Sequence, residues 1–304
     1  MSDVTSAKPF LGTTFLEWLA KPKPILRLEL VRILAPLAVV GFMSSRVAHA
    51  DEWIGDAGFH VPDVGNDWRQ PMYLPALAAP LAWMLALTLV GSALATSAGF
   101  RTRISAIVFA CTAAYVALAD RLAAFSVSKM APMVAIAIAI SPAGLRYGVD
   151  AWLAKRRNPD LELPDETTSG VVPFFQILLP TIYSASGIAK ARGDWLHHTS
   201  VLWTHLHDSY QTAFTVAFAN LMPAAGWTVL QYLVLGFETG APLWFGMKRT
   251  RTIALVVGVG MHMMIGLMFG PVRWFAMLMA SLLIASYLPE PLLDRLARRL
   301  SRRA

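Results

Sequence analysis

Long apolar runs separated by short polar segments dominate the chain. A helix needs about 20 apolar residues to cross a hydrocarbon core of ~30 Å, and most of these runs reach or approach that length. The alternating pattern typical of half-buried strands does not recur, so helices must satisfy the backbone within a membrane. The pattern therefore predicts an all-α, polytopic transmembrane helical bundle of about eight spans. The predicted spans are residues 25–48, 74–96, 104–119, 130–145, 171–189, 213–236, 252–270 and 274–289.

The third, fourth and eighth runs are short. Such runs are typical either of helices buried within protein or of spans that continue past a flanking charge, whose side chain extends to the interface. Composition agrees with a membrane protein: 56% of residues are hydrophobic and 15% are charged, whereas soluble domains are about a quarter charged. We expect one transmembrane domain over 1–304, with an interfacial N-terminal segment at 1–24 and a basic cytoplasmic tail at 290–304. We expect no cleavable signal peptide and, with Cys111 as the single cysteine, no internal disulfide.

The distribution of charge predicts an orientation. If eight spans alternate, the basic loops, the N-terminal lysines and the arginine-rich tail share one side, which the positive-inside rule assigns to the cytoplasm. The sequence thus predicts a multi-pass protein of the cell membrane with both termini cytoplasmic and Lys190 on the external face. Topology and anionic membrane lipid explain the net charge of +7, so no nucleic acid partner is expected. The basic loop residues are Arg101, Arg103, Lys155, Arg156, Arg157, Lys248, Arg249 and Arg251, and the opposite, acidic loop contains Asp51, Glu52, Asp56, Asp63 and Asp67.

Lys190 ends the charge-free run of the fifth span. If that helix continues past Ala189, Tyr183, Gly187, Lys190 and Asp194 lie near one face. Small residues on this face would let a neighbouring helix or a ligand approach closely. Partial burial favours the neutral form of an amine, which is a usable base. The alternative is an interfacial anchor that pairs with Asp194, and spacing alone favours the anchor.

His262 is the only titratable residue in the middle of the seventh span. Ionisable groups inside a membrane are costly and normally face the bundle interior. His262 is therefore either a neutral histidine hydrogen-bonded between helices or part of the wall of a buried site. Lys129, at the external start of the fourth span, could extend a polar cavity together with Lys190.

Other polar residues are interpreted as structural. The histidines of the external segment match no zinc-site spacing, so no metal is expected. We predict that Glu29 and Arg32 pair within the first span, and that Asp150 and Glu238 pair with basic loop residues near the cytoplasmic end. A phosphate-binding loop, a Gly-x-Ser-x-Gly motif and a voltage-sensor charge pattern are all absent from the sequence. The external histidines are His197, His198, His205 and His207.

The segment Tyr183-x-x-x-Gly187-x-x-Lys190-x-x-x-Asp194-Trp195 resembles the core motif of vitamin K-dependent γ-carboxylases and of the wider HTTM family of membrane proteins. The resemblance implies that Lys190 is the base that deprotonates a vitamin K-type hydroquinone. In those carboxylases oxygen then converts the quinone to an epoxide through a strong base, which removes a glutamate γ-proton before carbon dioxide adds. Further matching pieces, in order, are Arg32, Gly99-Phe100-Arg101-Thr102-Arg103, Val149-Asp150, Phe237-Glu238 with Pro242, and His262.

The resemblance also assigns roles to neighbouring residues. Lys129 and His262 would join Lys190 in catalysis and polarise the pocket. Lys129 stands where the carboxylases have a functional histidine, which affects the later carboxylation steps more than the quinol step. The carboxylases also carry a large soluble domain after the membrane part, whereas this chain ends shortly after its last predicted span. The substrate-binding residues would be Tyr183, Gly187, Asp194 and Trp195.

Two hypotheses of function follow. The first is a carboxylase-like membrane enzyme, a carboxylase or lyase by class, that acts on a lipid-soluble quinol or related substrate. A separate soluble subunit or substrate protein would then be its partner, in addition to membrane lipid. The second is a non-catalytic membrane module of the export or immunity type that binds lipid or a partner subunit. A transporter ranks third, because matching inverted halves are not evident in the sequence.

Overall fold

The computed structural model describes residues 11–59, 74–119, 126–208 and 210–301, and almost all regular structure in these ranges is helical. Two short strands, β1 (Lys23–Pro24) and β2 (Glu166–Thr167), pair antiparallel. The all-α class is confirmed. The helices are α1 (Leu11–Ala20), α2 (Ile25–Val47), α3 (Ala50–Trp53), α4 (Ala79–Ala98), α5 (Thr102–Ala119), α6 (Ser126–Ile140), α7 (Val149–Arg157), α8 (Val171–Arg192), α9 (Val201–Leu206), α10 (Ala213–Ala219), α11 (Ala224–Thr239), α12 (Ala241–Gly246), α13 (Arg251–Met268), α14 (Arg273–Tyr287) and α15 (Glu290–Ser301).

Several helices meet the length and hydropathy that a membrane span requires. Among the described residues there are five: α4, α5, α8, α13 and the stretch Gly270–Tyr287 that contains α14. The pair α10–α11 makes a sixth if it counts as one span, although the two helices are bent by 113° at their junction. The remaining predicted spans correspond to α2 and to the shorter apolar helix α6. The polytopic bundle is thus confirmed, while the number of eight spans and the cytoplasmic termini stay predictions.

Helix α2 lies at the centre of the first half of the bundle. It packs against α4, α6 and α14, and its buried positions Leu28, Val31, Ala35 and Val39 recur at helical spacing. That spacing puts the apolar side chains on one continuous face. The neighbouring helices α4, α5 and α6 pack against one another in chain order, so this half of the bundle is built from sequential contacts.

A buried polar cluster joins α2 to the ends of its neighbours. The Arg32 guanidinium donates to the Glu29 carboxylate at 2.6 Å, and both side chains are fully buried. Arg32 also donates to the carbonyls of Thr96, Ser97 and Tyr147. The predicted pairing of Glu29 with Arg32 is confirmed, and it fixes the end of α4 and the 141–148 turn against α2.

The predicted pairing of Asp150 with a basic loop residue is not found in the described structure, and part of the predicted acidic loop lies outside it. Asp150 accepts a hydrogen bond from the backbone N–H of Thr102 at 3.2 Å, at the start of α5, and no basic side chain is among its contacts in the described structure. Asp63 and Asp67 of the predicted external acidic loop lie outside the described residues. The same holds for Lys8 and for Arg302 and Arg303 of the tail.

Helix α8 connects the two halves of the molecule. It packs against α11 and α12 on one side and against α14 and α2 on the other. Beyond its end, a small second core of Leu206, Ala219, Trp227 and Met268 holds the segment around α9 and α10 in place. The end of α8 therefore lies where the main core meets this second cluster.

Candidate functional site

The Lys190 side chain forms an ion pair with Glu238. Helix α8 continues to Arg192, as the sequence pattern required for Lys190 to share a face with Tyr183. The ammonium donates to both Glu238 carboxylate oxygens, at 2.5 and 2.6 Å. The Lys190 side chain is 27% exposed and the Glu238 side chain is 7% exposed. A buried carboxylate is stable only when it is paired or fully hydrogen-bonded, and Lys190 supplies that partner.

This pairing corrects two sequence predictions. Asp194, the expected partner of an anchoring Lys190, is exposed and does not contact the ammonium in the described structure. Glu238, which we expected to pair with basic loop residues at the cytoplasmic end, pairs with Lys190 instead. The physical reason is the position of α11. Its last turn lies beside the last turns of α8, so residues assigned to opposite faces come together.

A glycine makes this contact between α8 and α11 possible. A Cβ atom at Gly187 would lie 2.6 Å from the backbone nitrogen of Thr239 and 3.0 Å from the carbonyl carbon of Glu238. One turn earlier, the Ser184 hydroxyl donates to the Thr239 carbonyl at 3.5 Å. The expectation that small residues here admit a neighbouring helix is confirmed. Gly187 thus contributes to the site by bringing the Glu238 backbone close to α8.

Trp195 forms a wall beside the ion pair. The Lys190 ammonium lies 4.8 Å from the centroid of the Trp195 ring, within the range of a cation–π contact. The buried Gln231 of α11 fixes the turn that carries Trp195. Its amide nitrogen donates to the carbonyls of Trp195 and His198, both at 2.8 Å, and its oxygen accepts the N–H of Leu202 at 3.0 Å. Gln231 is not among the residues predicted from the sequence, although an isolated amide in an apolar helix was the available signal.

Tyr183 and His262 form a second, fully buried pair. The Tyr183 hydroxyl and His262 Nε2 are 2.6 Å apart, which joins α8 to α13. With Tyr183 as the donor, Nδ1 carries the proton of a neutral imidazole. This Nδ1 is buried and has no hydrogen-bond partner among the described residues. Phe237 meets the Tyr183 ring edge-on at 5.7 Å and Phe245 stacks on it at 6.2 Å between centroids.

The structure does not bring all the predicted residues together. Lys129 is exposed on α6, and α6 packs mainly against α2, α5 and α14 rather than α8. Nδ1 of His205 and Nδ1 of His207 each lie 2.8 Å from a backbone carbonyl oxygen one helical turn earlier. Within the described parts of the chain, no three His, Cys, Asp or Glu side chains cluster as metal ligands.

The arrangement suits proton transfer between two side chains in contact. Lys190 and Glu238 can exchange one proton between ammonium–carboxylate and amine–carboxylic acid forms. Loss of water favours the neutral form of such a pair, because desolvation disfavours both charges. An apolar ligand that covers the 27% exposed Lys190 side chain would exclude water from the pair, and the Trp195 ring beside it provides a surface for an aromatic ligand.

Comparison with known proteins identifies the family to which this chain is similar. The family model for the HTTM domain matches residues 21–287, a range that includes Lys190, Glu238, Tyr183 and His262. No curated protein sequence and no solved structure matches the chain.

Proposed function

This chain belongs to the HTTM domain family, and on that premise we propose that it is a carboxylase-like membrane enzyme in which Lys190 acts as a base. Its substrate would be a lipid-soluble quinol that enters from the bilayer near the external face of the cell membrane. The observation that carries this proposal is the Lys190–Glu238 pair. An anchoring lysine extends to water or to lipid headgroups, whereas Lys190 points at a buried carboxylate supplied by another helix.

The surroundings of Lys190 suit an aromatic, hydroxyl-bearing substrate. The Trp195 indole offers a flat surface 4.8 Å from the ammonium, on which an aromatic ring can stack in an offset arrangement. A hydroxyl group of that ring would then lie within reach of the Lys190 nitrogen. A vitamin K-type hydroquinone has this chemistry, and when bound it supplies the electrons that reduce oxygen.

Glu238 and Lys190 have different roles in the proposed proton transfer. Glu238 accepts the proton of the Lys190 ammonium when substrate excludes water, and the resulting amine takes a proton from the substrate hydroxyl. The hydrogen-bonded Tyr183 and His262 side chains form a polar point within an otherwise aromatic wall. Lys129 is exposed on α6, which packs mainly against α2, α5 and α14, so the proposed first step does not use it.

The direct test is quinol-dependent oxygen consumption by the purified full chain in lipid nanodiscs. We expect Lys190→Ala to lower the rate at least ~100-fold, the usual effect of removing a general base. Lys155→Ala, at an exposed lysine of α7, is the matched control and should retain the wild-type rate. Equal rates in the two variants would remove the role assigned to Lys190.

A second candidate function is a non-catalytic module that binds lipid or a partner subunit. It is favoured by one observation: Lys190 contacts both Glu238 oxygens, as a purely structural ion pair would. This alternative predicts no quinol-dependent turnover in the wild type, and lower thermal stability in both Lys190→Ala and Glu238→Gln. For the enzyme we propose a soluble substrate protein as the partner, because the carboxylases that the chain resembles act on protein glutamates.

A further inference from the structure

A cleft separate from the Lys190 site opens between α1, α8, α12 and the start of α13. Its volume is about 340 Å³, within the range of small-molecule and lipid-chain pockets. Ile177, Pro180 and Pro242 line it with apolar surface, and Phe245 separates it from Tyr183. Neither Lys190 nor Glu238 lines the cleft, so its ligand is distinct from the proposed quinol.

One end of the cleft carries a fixed cation. The guanidinium of Arg251 lines it and donates through Nε to the Phe245 carbonyl at 2.9 Å and through Nη2 to the Gly246 carbonyl at 3.2 Å. These bonds hold the group in place, and the described contacts of Arg251 include no carboxylate. A planar guanidinium held in this way is well suited to a phosphate.

A second cation lies next to Trp18, which also lines the cleft. The Lys23 ammonium donates to the Trp18 carbonyl at 3.0 Å and lies 5.5 Å from the centroid of its ring. Burial lowers the pKa of Lys23, and repulsion from Lys21 and Arg27 lowers it further. An anion bound beside Trp18 would relieve that repulsion.

We propose that this cleft binds an anionic phospholipid, with an acyl chain along Ile177, Pro180 and Pro242 and the phosphate at Arg251, while Lys23 beside Trp18 adds to the attraction of the anion. Charge complementarity selects this occupant, because the Arg251 guanidinium lines the cleft, the Lys23 ammonium lies beside its Trp18 wall, and most of its other walls are apolar. The predicted topology agrees, since the basic loops lie on the cytoplasmic side, where basic residues meet anionic lipid. The proposal does not depend on the catalytic role of Lys190.

Native mass spectrometry of the purified full chain tests it, by titration with phosphatidylglycerol or phosphatidylcholine and measurement of the first dissociation constant. We expect the wild type to bind phosphatidylglycerol more tightly than phosphatidylcholine. Arg251→Gln should weaken phosphatidylglycerol binding about fivefold, whereas Arg249→Gln, in the preceding loop, should leave it unchanged. Equal affinity for the two lipids in the wild type would overturn the proposal in favour of a neutral-lipid cleft.

A second variant tests the cleft without removing the bonds that Arg251 makes. A Cβ at Gly246 meets no atom within 4 Å, so Gly246→Leu is expected to fold and to occupy the cleft, weakening phosphatidylglycerol binding at least ~10-fold. Gly260→Leu is the matched control, because Gly260 of α13 is also surrounded by open space and does not line the cleft. Equal affinities in the two leucine variants, with wild-type helicity by circular dichroism, would show that the lipid binds elsewhere.

Discussion

At the residue scale, the Lys190–Glu238 contact determines what the lysine can do. A carboxylate that is 7% exposed needs a partner, and Lys190 contacts both of its oxygens. The pair therefore stabilises the ammonium, and under the proposed function it would release a proton once substrate excludes water. Residues of three segments contribute: Lys190 from α8, Glu238 from α11 and Trp195 from the turn that Gln231 holds.

The reactivity of Lys190 tests this pairing without any substrate. Glu238→Gln removes the negative partner, so we expect Lys190 to be acylated faster by a small amine-reactive reagent, because the side chain is no longer held against a buried carboxylate. Quantitative mass spectrometry of the Lys190 peptide measures the rate, with Lys155 as the internal reference. Slower or unchanged labelling of Lys190 would contradict an ion pair that holds the ammonium form.

At the element scale, the site depends on how closely α11 approaches α8. Glu238 and Thr239 end α11 directly against Gly187, and the Tyr183–His262 bond adds α13 to the same region. The bend of 113° between α10 and α11 lets the second helix run along the 195–202 segment, where Gln231 and Thr228 bond to its carbonyls. The relative positions of α8, α11 and α13 thus depend on Gly187, on the Tyr183–His262 hydrogen bond and on the hydrogen bonds of Gln231.

A methyl group at position 187 should disturb this arrangement. In Gly187→Ala the new Cβ would lie 2.6 Å from the Thr239 nitrogen, so the backbones must separate. We expect a loss of about 1–3 kcal/mol in stability, the usual cost of overpacking, together with faster labelling of Lys190. Thermal unfolding in detergent measures the first effect.

Gly170→Ala is the control for that experiment, because its Cβ meets no atom within 4 Å at the start of the same helix. Equal melting temperatures for the two alanine variants would mean that α8 and α11 tolerate a wider separation than their contact indicates.

At the scale of the whole molecule, the two halves meet along α2, α8 and α14. The fully buried Glu29–Arg32 pair joins α2 to the C-terminal end of α4 and to the 141–148 turn. In the other half of the bundle, helices are joined by the apolar packing of α13 against α14. The buried Glu29–Arg32 pair therefore stabilises the packing around α2, and α2 in turn lies against α8, the helix that carries Lys190.

Breaking that buried pair should cost more than Gly187→Ala. Arg32→Met leaves Glu29 buried without its charged partner, so we expect a destabilisation of about 3–5 kcal/mol. Glu29→Gln combined with Arg32→Met should recover part of this loss, because no charge then remains buried. Unfolding of the purified variants in detergent measures both changes. A double variant less stable than Arg32→Met would contradict this account.

The orientation of the whole chain is also testable. In a Cys111→Ser background, single cysteines at Asp194 and Lys248 should react with a membrane-impermeant maleimide from opposite sides, with position 194 external, since the basic loops are expected to be cytoplasmic. Labelling of intact cells and of inverted vesicles measures the sidedness. Reaction of both cysteines from one side would require a different number of spans.

The sequence by itself determined the helical class, the positions of the apolar segments and the residues worth examining. The hydropathy and charge of each residue can be read directly from the sequence. Lys190 at the end of a span and His262 within one are therefore predictable without the structure. Pairing of neighbours in one helix, such as Glu29 with Arg32, was predictable for the same reason.

Only the tertiary structure decided which partner each residue has. Lys190 pairs with Glu238 of another helix rather than with Asp194 four positions away, and Tyr183 meets His262 of α13. A linear pattern records how apolar each residue is, but it does not record where α11 bends or which helix packs against Gly187. The chemistry of the site arises from those approaches between helices, because a carboxylate affects an amine only where the fold brings the two into contact.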